Sequence, residues 1–344
     1  MNKLKVLIVD DSPIVCELLR SIIEDDNSLV VIGIAENGQE ACTMTAQMRP
    51  DIITMDITMP VMDGLLAIEE IMAENPTPIL VLTSSKDAAI AYHAIMKGAV
   101  DVSEKPTLDS VSIKIFHRKL HTIASLKVIR HIRSNKTRMP VAFNPEPNTI
   151  RCSGLFPVIG IASSTGGPKA LAEIFKRLEA NFPAAIVVAQ HIGNGFTEGL
   201  ISWLNDVSPL KVCMAEDQQH IAPGTIYIPP DDHHIEVRNN RTLHIFLKIA
   251  SDVYTPSADL LFHSIGNLNS SVIGIVLSGM GRDGADGIVS IKNSGGITIA
   301  QDEESSVIFG MPKAAVETGC IDYILPLTGI ADKLNKLAVE RKRI

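Results

Sequence analysis

The stretch "SVIGIVLSGMGRDGADG", residues 271–287, runs from a short apolar segment into a glycine-rich loop that contains one arginine and two aspartates. The apolar segment is typical of a buried strand in a parallel sheet. The loop fits the dinucleotide fingerprint G-x-G-x-x-G at residues 279–284. Asp302 and Glu303 follow about 20 residues later, where that fingerprint has its ribose-binding carboxylate. The loop therefore either holds a pyrophosphate or presents Asp283 to a catalytic site.

Short apolar segments alternate with helical segments on both sides of this stretch, which is typical of parallel α/β sheets. In the first half the predicted strands are "KVLIVD", "LVVIGIA", "DIITMD", "PILVLTS" and "DVSEKP"; in the second half they include "FPVIGIAS", "AAIVVAQH", "TIYIPP", "SVIGIVLS" and "GITIAQD". We therefore expect an α/β fold in both halves. Because ligands of such sheets gather at the carboxyl ends of the strands, the polar residues there are the candidate functional residues.

Composition limits the function classes. The chain has 344 residues, enough for two domains, and a net charge of -8 that argues against nucleic-acid binding. Its five cysteines are widely scattered, which favours reduced thiols over a disulfide or zinc framework. The apolar run near the N-terminus is too short for a signal peptide, and no stretch approaches the roughly 20 apolar residues of a membrane span. We expect a cytoplasmic protein without membrane insertion.

The boundary between the two halves is predicted from charge and proline content. No acidic residue lies between Asp109 and Glu146, and the stretch "RSNKTRMPVAFNPEPNTIRCSG" is polar, with three prolines and no helical or strand period. This pattern predicts a domain over residues 1–124, a linker over 125–153 and a second domain over 154–344.

Carboxylates follow two of the predicted strands in the first half. Asp10 and Asp11 end the first strand and Asp56 ends the third, while Thr83 ends the fourth and Lys105 follows the fifth. Three carboxylates at one sheet edge repel one another unless a cation neutralises them, and oxygen ligands suit Mg²⁺. A lysine and a hydroxyl opposite them suit a phosphoryl group. Helix capping would explain one or two of these residues but not all five.

Residues 1 to 124 resemble a response-regulator receiver domain through "VDDSP", "MDITMPVMDG", "LTS" and "EKP". The resemblance implies a flavodoxin-like, five-stranded parallel sheet. It also implies that Asp56 accepts a phosphoryl group, that Asp10, Asp11 and Asp56 hold Mg²⁺, and that Thr83 and Lys105 contact the phosphate. One departure is Val102, at a position where receivers commonly carry an aromatic switch residue. It puts the usual aromatic readout in doubt.

In the second half, three polar residues follow buried strands. The strand "FPVIGIAS" leads into "STGGPKALAEIF", where a hydroxyl lies near the N-terminus of a predicted helix. The next strand leads to His191, and the loop at residues 279–284 carries Asp283. Each has an ordinary structural explanation alone, but together Ser164, His191 and Asp283 meet the needs of a nucleophile, a base and its orienting group.

The dinucleotide alternative is weaker. It would place the Asp283 carboxylate where a diphosphate must approach, and it would leave Ser164 and His191 without a role. The order Ser, His, Asp also differs from the Ser, Asp, His order of α/β-hydrolases, and no G-x-S-x-G elbow surrounds Ser164. We therefore expect a different fold with the same type of chemistry.

The whole chain resembles the protein-glutamate methylesterases of chemotaxis. The resemblance rests on the receiver motifs followed by "ASSTGGP", "AQHI", "YIPPDDHH", "YTPSAD", "LSGMGRDGADG" and "FGMPKAA". It implies a doubly wound, mostly parallel α/β catalytic domain. The residue roles that it implies are a nucleophile, Ser164, a general base, His191, its partner, Asp283, and oxyanion-hole residues, Met280 and Thr165. Ala162 departs from the more common glycine and leaves Ser163 as an alternative nucleophile, although spacing to the following Thr-Gly-Gly favours Ser164.

The resemblance further implies a phosphorylation-activated serine hydrolase. Its substrates would be glutamate γ-methyl esters, and some glutamines, on the cytoplasmic helices of chemoreceptors. Its phosphodonor would be a chemotaxis histidine kinase, and ester hydrolysis itself would need no metal or other cofactor. The unphosphorylated receiver would pack over the active-site face and be released on phosphorylation.

Two alternatives stay open at this point. The second half could be only a binding module, which would not need Ser164, His191 and Asp283 together. His233, His234 and Asp259 either line the substrate path or belong to surface loops.

Overall fold

The computed structural model describes residues 3–83, 88–126, 156–268 and 271–340. The chain divides into two compact units, residues 1–136 and 137–344. Nearly all of the predicted linker, residues 125–153, lies outside the described residues, so the predicted domain bounds stay predictions. No helix among the described residues has both the length and the apolar character needed to cross a bilayer.

The first unit is a five-stranded sheet flanked by helices. Its strands are β1 Leu4–Val9, β2 Leu29–Ala35, β3 Ile52–Met55, β4 Ile79–Thr83 and β5 Asp101–Glu104. Its helices are α1 Pro13–Glu24, α2 Gly38–Met48, α3 Gly64–Glu74, α4 Ala88–Lys97 and α5 Ser110–Ala124. The strands lie in the order β2-β1-β3-β4-β5, and every pair is parallel.

This topology follows from the local sequence. Strand β4 is buried along its whole length, as its continuous apolar composition predicts for a parallel sheet covered on both faces. Helix α1 has Pro13 in its first turn, and α3 is capped by Asp63, whose side chain accepts the Leu66 N–H. Because β1, β3, β4 and β5 are adjacent and parallel, their carboxyl ends meet at one edge of the sheet.

The second unit contains a seven-stranded sheet and a separate hairpin. The sheet strands are β6 Val158–Ser163, β7 Ala185–Gln190, β8 Lys211–Met214, β9 Thr225–Ile228, β12 Val272–Val276, β13 Ile297–Gln301 and β14 Tyr323–Leu325. The antiparallel hairpin is formed by β10 His233–Val237 and β11 Leu243–Leu247. The helices are α6 Gly167–Phe175, α7 Thr197–Val207, α8 Ala258–Gly266, α9 Ala285–Asn293, α10 Met311–Glu317 and α11 Leu327–Glu340.

The order of the seven strands, β14-β13-β12-β6-β7-β9-β8, determines where the site lies. Strand β6 comes first in the chain and lies in the interior of the sheet, with β7 on one side and β12 on the other. From β6 the chain forms β7, β8 and β9 on one side of the sheet and then β12, β13 and β14 on the other, which makes the carboxyl end of β6 a topological switch point. The predicted α/β fold with two parallel sheets is confirmed.

Candidate active site and phosphorylation pocket

The first unit carries an acidic pocket at the carboxyl edge of its sheet. One carboxylate oxygen from each of Asp10, Asp11 and Asp56 lies within 4.8 Å of the others, close enough to share one cation. Lys105 Nζ lies 2.7 Å from Asp10 Oδ2 and 2.7 Å from Asp56 Oδ2. The buried Thr83 Oγ1 has no hydrogen-bond partner among the described residues.

The electrostatics of this pocket agree with its geometry. Burial raises the pKa of Asp10 above its ordinary value, although hydrogen bonds from Lys105 and the Ser12 N–H act against the rise. Burial lowers the pKa of Lys105, but the hydrogen bonds and charges of Asp10 and Asp56 outweigh it and leave that pKa raised. The crowded carboxylates fit a divalent cation, as the sequence predicted, and a phosphoryl group beside them would meet the lysine and the unpartnered hydroxyl.

The second unit presents a serine at the carboxyl end of β6. Ser163 is fully buried, and its Oγ donates to Gln190 Oε1 at 2.7 Å, so its hydroxyl is already engaged inside the protein. Ser164 is partly exposed, and its Oγ makes no hydrogen bond within the described part of the chain. Of the two serines, only Ser164 has a partly exposed side chain.

His191 lies next to Ser164 across the β6–β7 pair. The backbone N–H of His191 donates to the Ser163 carbonyl at 2.9 Å. The Gln190 side chain adds two bonds, because its Nε2 donates to the carbonyls of Ser164 (3.0 Å) and His191 (2.7 Å). The His191 ring stacks on Tyr254, with centroids 4.9 Å apart and planes 7° apart. These contacts fix both the backbone and the ring plane of His191.

Asp283 completes the arrangement. Its Oδ2 lies 2.8 Å from His191 Nε2, and its carboxylate accepts the N–H groups of Ala258 (2.7 Å) and Asp259 (3.1 Å) at the start of α8, and the Ser257 hydroxyl at 3.2 Å. Burial raises the pKa of Asp283, but the hydrogen bond and charge of His191 and the α8 N–H groups outweigh it and leave that pKa lowered. The helix N-terminus thus keeps the carboxylate ionised beside His191. With Nε2 facing Asp283, Nδ1 is the ring nitrogen left to act as a base.

Two backbone N–H groups in the loops beside Ser164, those of Thr165 and Met280, are candidates for an oxyanion hole. Within the described ranges, the N–H groups of Thr165 and Met280 have no hydrogen-bond partner, whereas the Ser164 N–H donates to the Ser278 carbonyl at 3.0 Å. Ser278 Oγ donates to the Thr165 carbonyl at 2.8 Å and accepts the Ile308 N–H at 2.9 Å, which ties these loops together. The Thr165 and Met280 N–H groups, which the family resemblance implicates in an oxyanion hole, are therefore free to donate to a ligand.

The glycines of the loop at 279–284 permit close packing. A Cβ on Gly279 would lie 2.3 Å from Met311 Sδ and 2.7 Å from Ser164 Cβ, so only glycine fits beside the serine. Gly281 has a φ of +91° and packs against the Tyr254 hydroxyl, where a Cβ would lie 2.5 Å away. The loop packs against Ser164 and carries Asp283 to His191, which favours a catalytic role for the loop over pyrophosphate binding.

The remaining candidates have structural partners. His234 is buried in β10 and Asp259 lies in the first turn of α8, where its carboxylate accepts the Gly287 N–H at 2.6 Å. Neither belongs to a surface loop. His233 begins β10, and its Nδ1 lies 2.7 Å from the Asp231 carbonyl.

Sequence reasoning missed Tyr254 and Ser257, which contact the ring of His191 and the carboxylate of Asp283. Both lie in "YTPSAD", where a serine followed by a helical segment is a helix N-cap signal. That signal could have placed a helix N-terminus here, but the pairing of this N-terminus with Asp283, 26 residues away from Ser257, needs the tertiary structure.

Comparisons with known proteins agree with both halves of this description. A family model described as CheB methylesterase matches residues 159–334, and one described as response regulator receiver domain matches residues 6–117. The chain is 40% identical over 339 residues to protein-glutamate methylesterase/protein-glutamine glutaminase 3 of Paramagnetospirillum magneticum, covering 97% of this chain and 96% of that protein. It is 37% identical over 359 residues to a protein of the same description from Pyrococcus abyssi, covering 99% and 95%.

A solved structure extends the comparison to three dimensions. The Thermotoga maritima CheB methylesterase catalytic domain is 40% identical, aligns over 54% of this chain and 100% of its own, and superposes with a TM-score of 0.50.

Proposed function

This chain belongs to the CheB methylesterase family, and we propose that its ester hydrolysis is carried out by Ser164, His191 and Asp283. It is a protein-glutamate methylesterase/protein-glutamine glutaminase whose catalytic domain is regulated by a receiver domain. The observation that carries the proposal is the 2.8 Å pair between His191 and the buried Asp283, beside the partly exposed Ser164 at the switch point.

The proposed reaction starts at the γ-carbonyl of a methylated glutamate. Ser164 Oγ attacks this carbonyl while His191 Nδ1 takes the hydroxyl proton, and the Thr165 and Met280 N–H groups stabilise the oxyanion of the tetrahedral intermediate. Collapse of the intermediate releases methanol, which leaves with the proton held by His191. The product of this half-reaction is a glutamyl ester of Ser164.

The second half-reaction regenerates the enzyme. His191 takes a proton from water, the resulting hydroxide attacks the acyl carbonyl, and Ser164 leaves with the proton from His191, so that glutamate is released. A glutamine side chain would follow the same route with ammonia as the leaving group. Asp283 stays ionised throughout and stabilises the imidazolium that forms in each half-reaction.

The substrate and the phosphodonor follow from family membership. We infer that the methyl esters belong to glutamates on chemoreceptors and that a chemotaxis histidine kinase phosphorylates Asp56. Mg²⁺ held by Asp10, Asp11 and Asp56 would neutralise the charge of the carboxylates and of the incoming phosphoryl group. Lys105 and Thr83 would bind the oxygens of the transferred phosphoryl group.

Methanol release tests the proposal. The purified full-length chain should release methanol from receptor membranes carrying methylated glutamates, and Ser164→Ala should slow this release by several orders of magnitude, because only stabilisation by the oxyanion hole remains. Ser163→Ala should keep most of the activity, because the buried Ser163 hydroxyl donates to Gln190 inside the protein. An inactive Ser163→Ala enzyme beside an active Ser164→Ala enzyme would move the nucleophile by one residue, and no methanol from the wild type would favour the binding-module alternative.

A further inference from the structure

His234 is a buried histidine that the proposed mechanism does not use. Its exposed fraction is 2%, and it lies in β10, outside the seven-stranded sheet. Its Nδ1 accepts the backbone N–H of Ser257 at 3.1 Å, and its Nε2 lies 2.9 Å from Asp252 Oδ2. Burying a polar ring costs free energy that an apolar side chain in the same space would avoid, so we expect a histidine at this position to have a function.

The partners of His234 determine its tautomer. A backbone N–H can only donate, so Nδ1 must be unprotonated to accept it, and Nε2 then carries the proton that faces Asp252. The hydrogen bond from the Ile249 N–H, and to a smaller extent the one from His234, lowers the pKa of Asp252 and keeps that carboxylate ionised. His234 is therefore a neutral ring whose acceptor is aimed at the Ser257 N–H.

Ser257 and the two residues that follow it contact Asp283, the proposed catalytic carboxylate. Ser257 is the N-cap of α8, and its hydroxyl and the next two N–H groups, of Ala258 and Asp259, all bind Asp283. The position of this N-cap therefore sets the position of three hydrogen-bond donors to Asp283. His234 accepts the Ser257 N–H of this same N-cap.

We propose that His234 is a positioning residue for the ester hydrolysis: by accepting the Ser257 N–H it holds the N-terminus of α8 against Asp283, which in turn orients His191. This inference rests on the proposed roles of Ser164, His191 and Asp283. It predicts that the acceptor at Nδ1, and not the pairing with Asp252, determines the rate.

Two variants of similar size test whether the rate depends on the hydrogen-bond acceptor of His234 or on the shape of its side chain. His234→Asn places an amide oxygen near the position of Nδ1, whereas His234→Leu has a similar shape without an acceptor, and both lose the bond to Asp252. His234→Gln gives the converse, since its amide nitrogen reaches toward Asp252 but it offers no acceptor at the Nδ1 position. In methanol release by the full-length chain, we expect kcat of the Asn variant to stay close to wild type, because its amide oxygen can accept the Ser257 N–H. We expect kcat of the Leu and Gln variants to fall about tenfold or more with KM unchanged, because small displacements of catalytic groups slow the chemical step.

His244 provides a matched control. It stacks on the same Phe246 ring as His234, with centroids 5.1 Å and 5.2 Å from that ring respectively, and it pairs with Asp217 at 3.2 Å. In the described part of the chain it makes no hydrogen bond or ring contact with α8, so His244→Gln should leave kcat unchanged. A general loss of hairpin stability would affect both histidines.

A spectroscopic readout tests the geometry without turnover. The low-field NMR resonance of the proton between His191 and Asp283 should keep its position in the Asn variant and move in the Leu variant. A purely structural role for His234 would lower the urea midpoints of both variants without separating their kcat values or this resonance.

Each outcome decides the proposal. A folded Leu or Gln variant with kcat within twofold of wild type overturns it, and so does a folded Asn variant that loses as much activity as Leu, since the requirement would then lie with Asp252. If Leu and Gln do not fold, a folded Asn variant that loses activity still overturns the proposal, and an active Asn variant whose His191–Asp283 proton resonance is unchanged supports it. Asp283→Asn, measured beside them, separates the two levels: wild-type kcat in that variant contradicts the proposed function itself, whatever His234 does.

Discussion

Ser163 and Ser164 are adjacent in the chain and alike in chemistry, yet their surroundings differ completely. Ser163 is the last residue of β6, points into the core and binds Gln190, whereas Ser164 is the first residue past the strand. Spacing to Thr165-Gly166-Gly167 favoured Ser164 from the sequence. The burial that supports this choice depends on where β6 ends, and a boundary of one residue is beyond what strand patterns can predict.

Ser164 and His191 should act as one unit. The single variants Ser164→Ala and His191→Ala should each lose most of the rate, and the double variant should lose little more than either, because each single change already removes the same nucleophilic mechanism. The measurement is kcat for methanol release by all three variants. Additive losses would show that the two residues do not share a mechanism.

Asp259 and Asp283 are neighbouring carboxylates whose pKa values shift in opposite directions. Burial, with repulsion from Asp283 and Asp286, raises the pKa of Asp259, although the Gly287 N–H opposes the rise. A carboxyl with a raised pKa stabilises the fold below its unfolded pKa of about 3.9, and this stabilisation is lost as the pH rises through its native value. Asp283, whose pKa is lowered, behaves in the opposite way.

Asp259→Asn should therefore stabilise the protein at pH 7 and have little effect near pH 4. The amide removes the buried charge and keeps an oxygen to accept the Gly287 N–H. The measurement is the urea midpoint of the variant relative to wild type across this pH range. A variant that loses stability at pH 7 and gains it at pH 4 would contradict the sign.

At the scale of elements, the strands that carry the site were predictable and several others were not. The observed bounds of β2 are those of "LVVIGIA", and β6, β7, β12 and β13 lie within their predicted segments, because buried parallel strands are continuous apolar runs. The short strands β8 and β14, of 4 and 3 residues, have no comparable signal. The hairpin β10–β11 did have one, since "HHIEV" and "LHIFL" alternate around "RNNRT".

The packing between elements was less predictable than the elements. The helix α8 was foreseeable, but its N-terminus reaches Asp283 only because the hairpin and the loop before α8 place it there. Such contacts join residues that are distant in sequence, and no local pattern encodes them. The same holds for Tyr254 against His191.

The contact between the glycine loop and the serine gives a prediction at this scale. Gly279→Ala should reduce kcat by about 100-fold, because its Cβ cannot lie 2.7 Å from Ser164 Cβ and must displace the serine or α10. Overpacking should also lower the free energy of unfolding by about 1–3 kcal/mol. Methanol release and urea unfolding measure the two effects.

Gly329→Ala is the control for this change. Gly329 lies in α11, where a Cβ would meet nothing closer than Pro326 Cδ at 3.3 Å. Its free energy of unfolding should change by no more than about 1 kcal/mol, and kcat should stay at the wild-type value. Wild-type kcat in a folded Gly279→Ala enzyme would show that the close approach to Ser164 is unimportant.

At the scale of the whole molecule, the sequence predicted two halves with different chemistry, and each half has the predicted fold. The candidate phosphorylation pocket combines five residues at the carboxyl ends of four strands, so its position followed directly from strand order in a parallel sheet. The readout of this pocket was harder to predict. Val102 pairs with Val81 across β4 and β5 and is partly buried against the core of its unit. It cannot change its side-chain position as the aromatic switch residue of other receivers does.

The change in charge at Asp56 is large compared with the groups around it. Lys105 now pairs with both Asp10 and Asp56, and the Thr83 hydroxyl is without a partner among the described residues. Phosphorylation adds about -1.5 to -2 charges and three acceptor oxygens at this point. Lys105 and Thr83 should both turn toward the phosphoryl group, and the ends of β4 and β5 should shift with them.

We therefore expect phosphorylation to raise the esterase activity. A small-molecule phosphodonor with Mg²⁺ should increase the rate of methanol release by the full chain, and removal of Mg²⁺ with a chelator should prevent the increase. Asp56→Asn should abolish the increase and keep the basal rate, because the carboxylate that accepts the phosphoryl group is absent while the ester site is unchanged.

A fragment of residues 150–344 should be more active than the unphosphorylated chain and should not respond to the phosphodonor, since it lacks the receiver. Such a fragment is reasonable to prepare, because the related Thermotoga maritima domain that matches 54% of this chain forms a structure by itself. Equal rates for the fragment, the unphosphorylated chain and the phosphorylated chain would rule out inhibition by the receiver and leave it a targeting role.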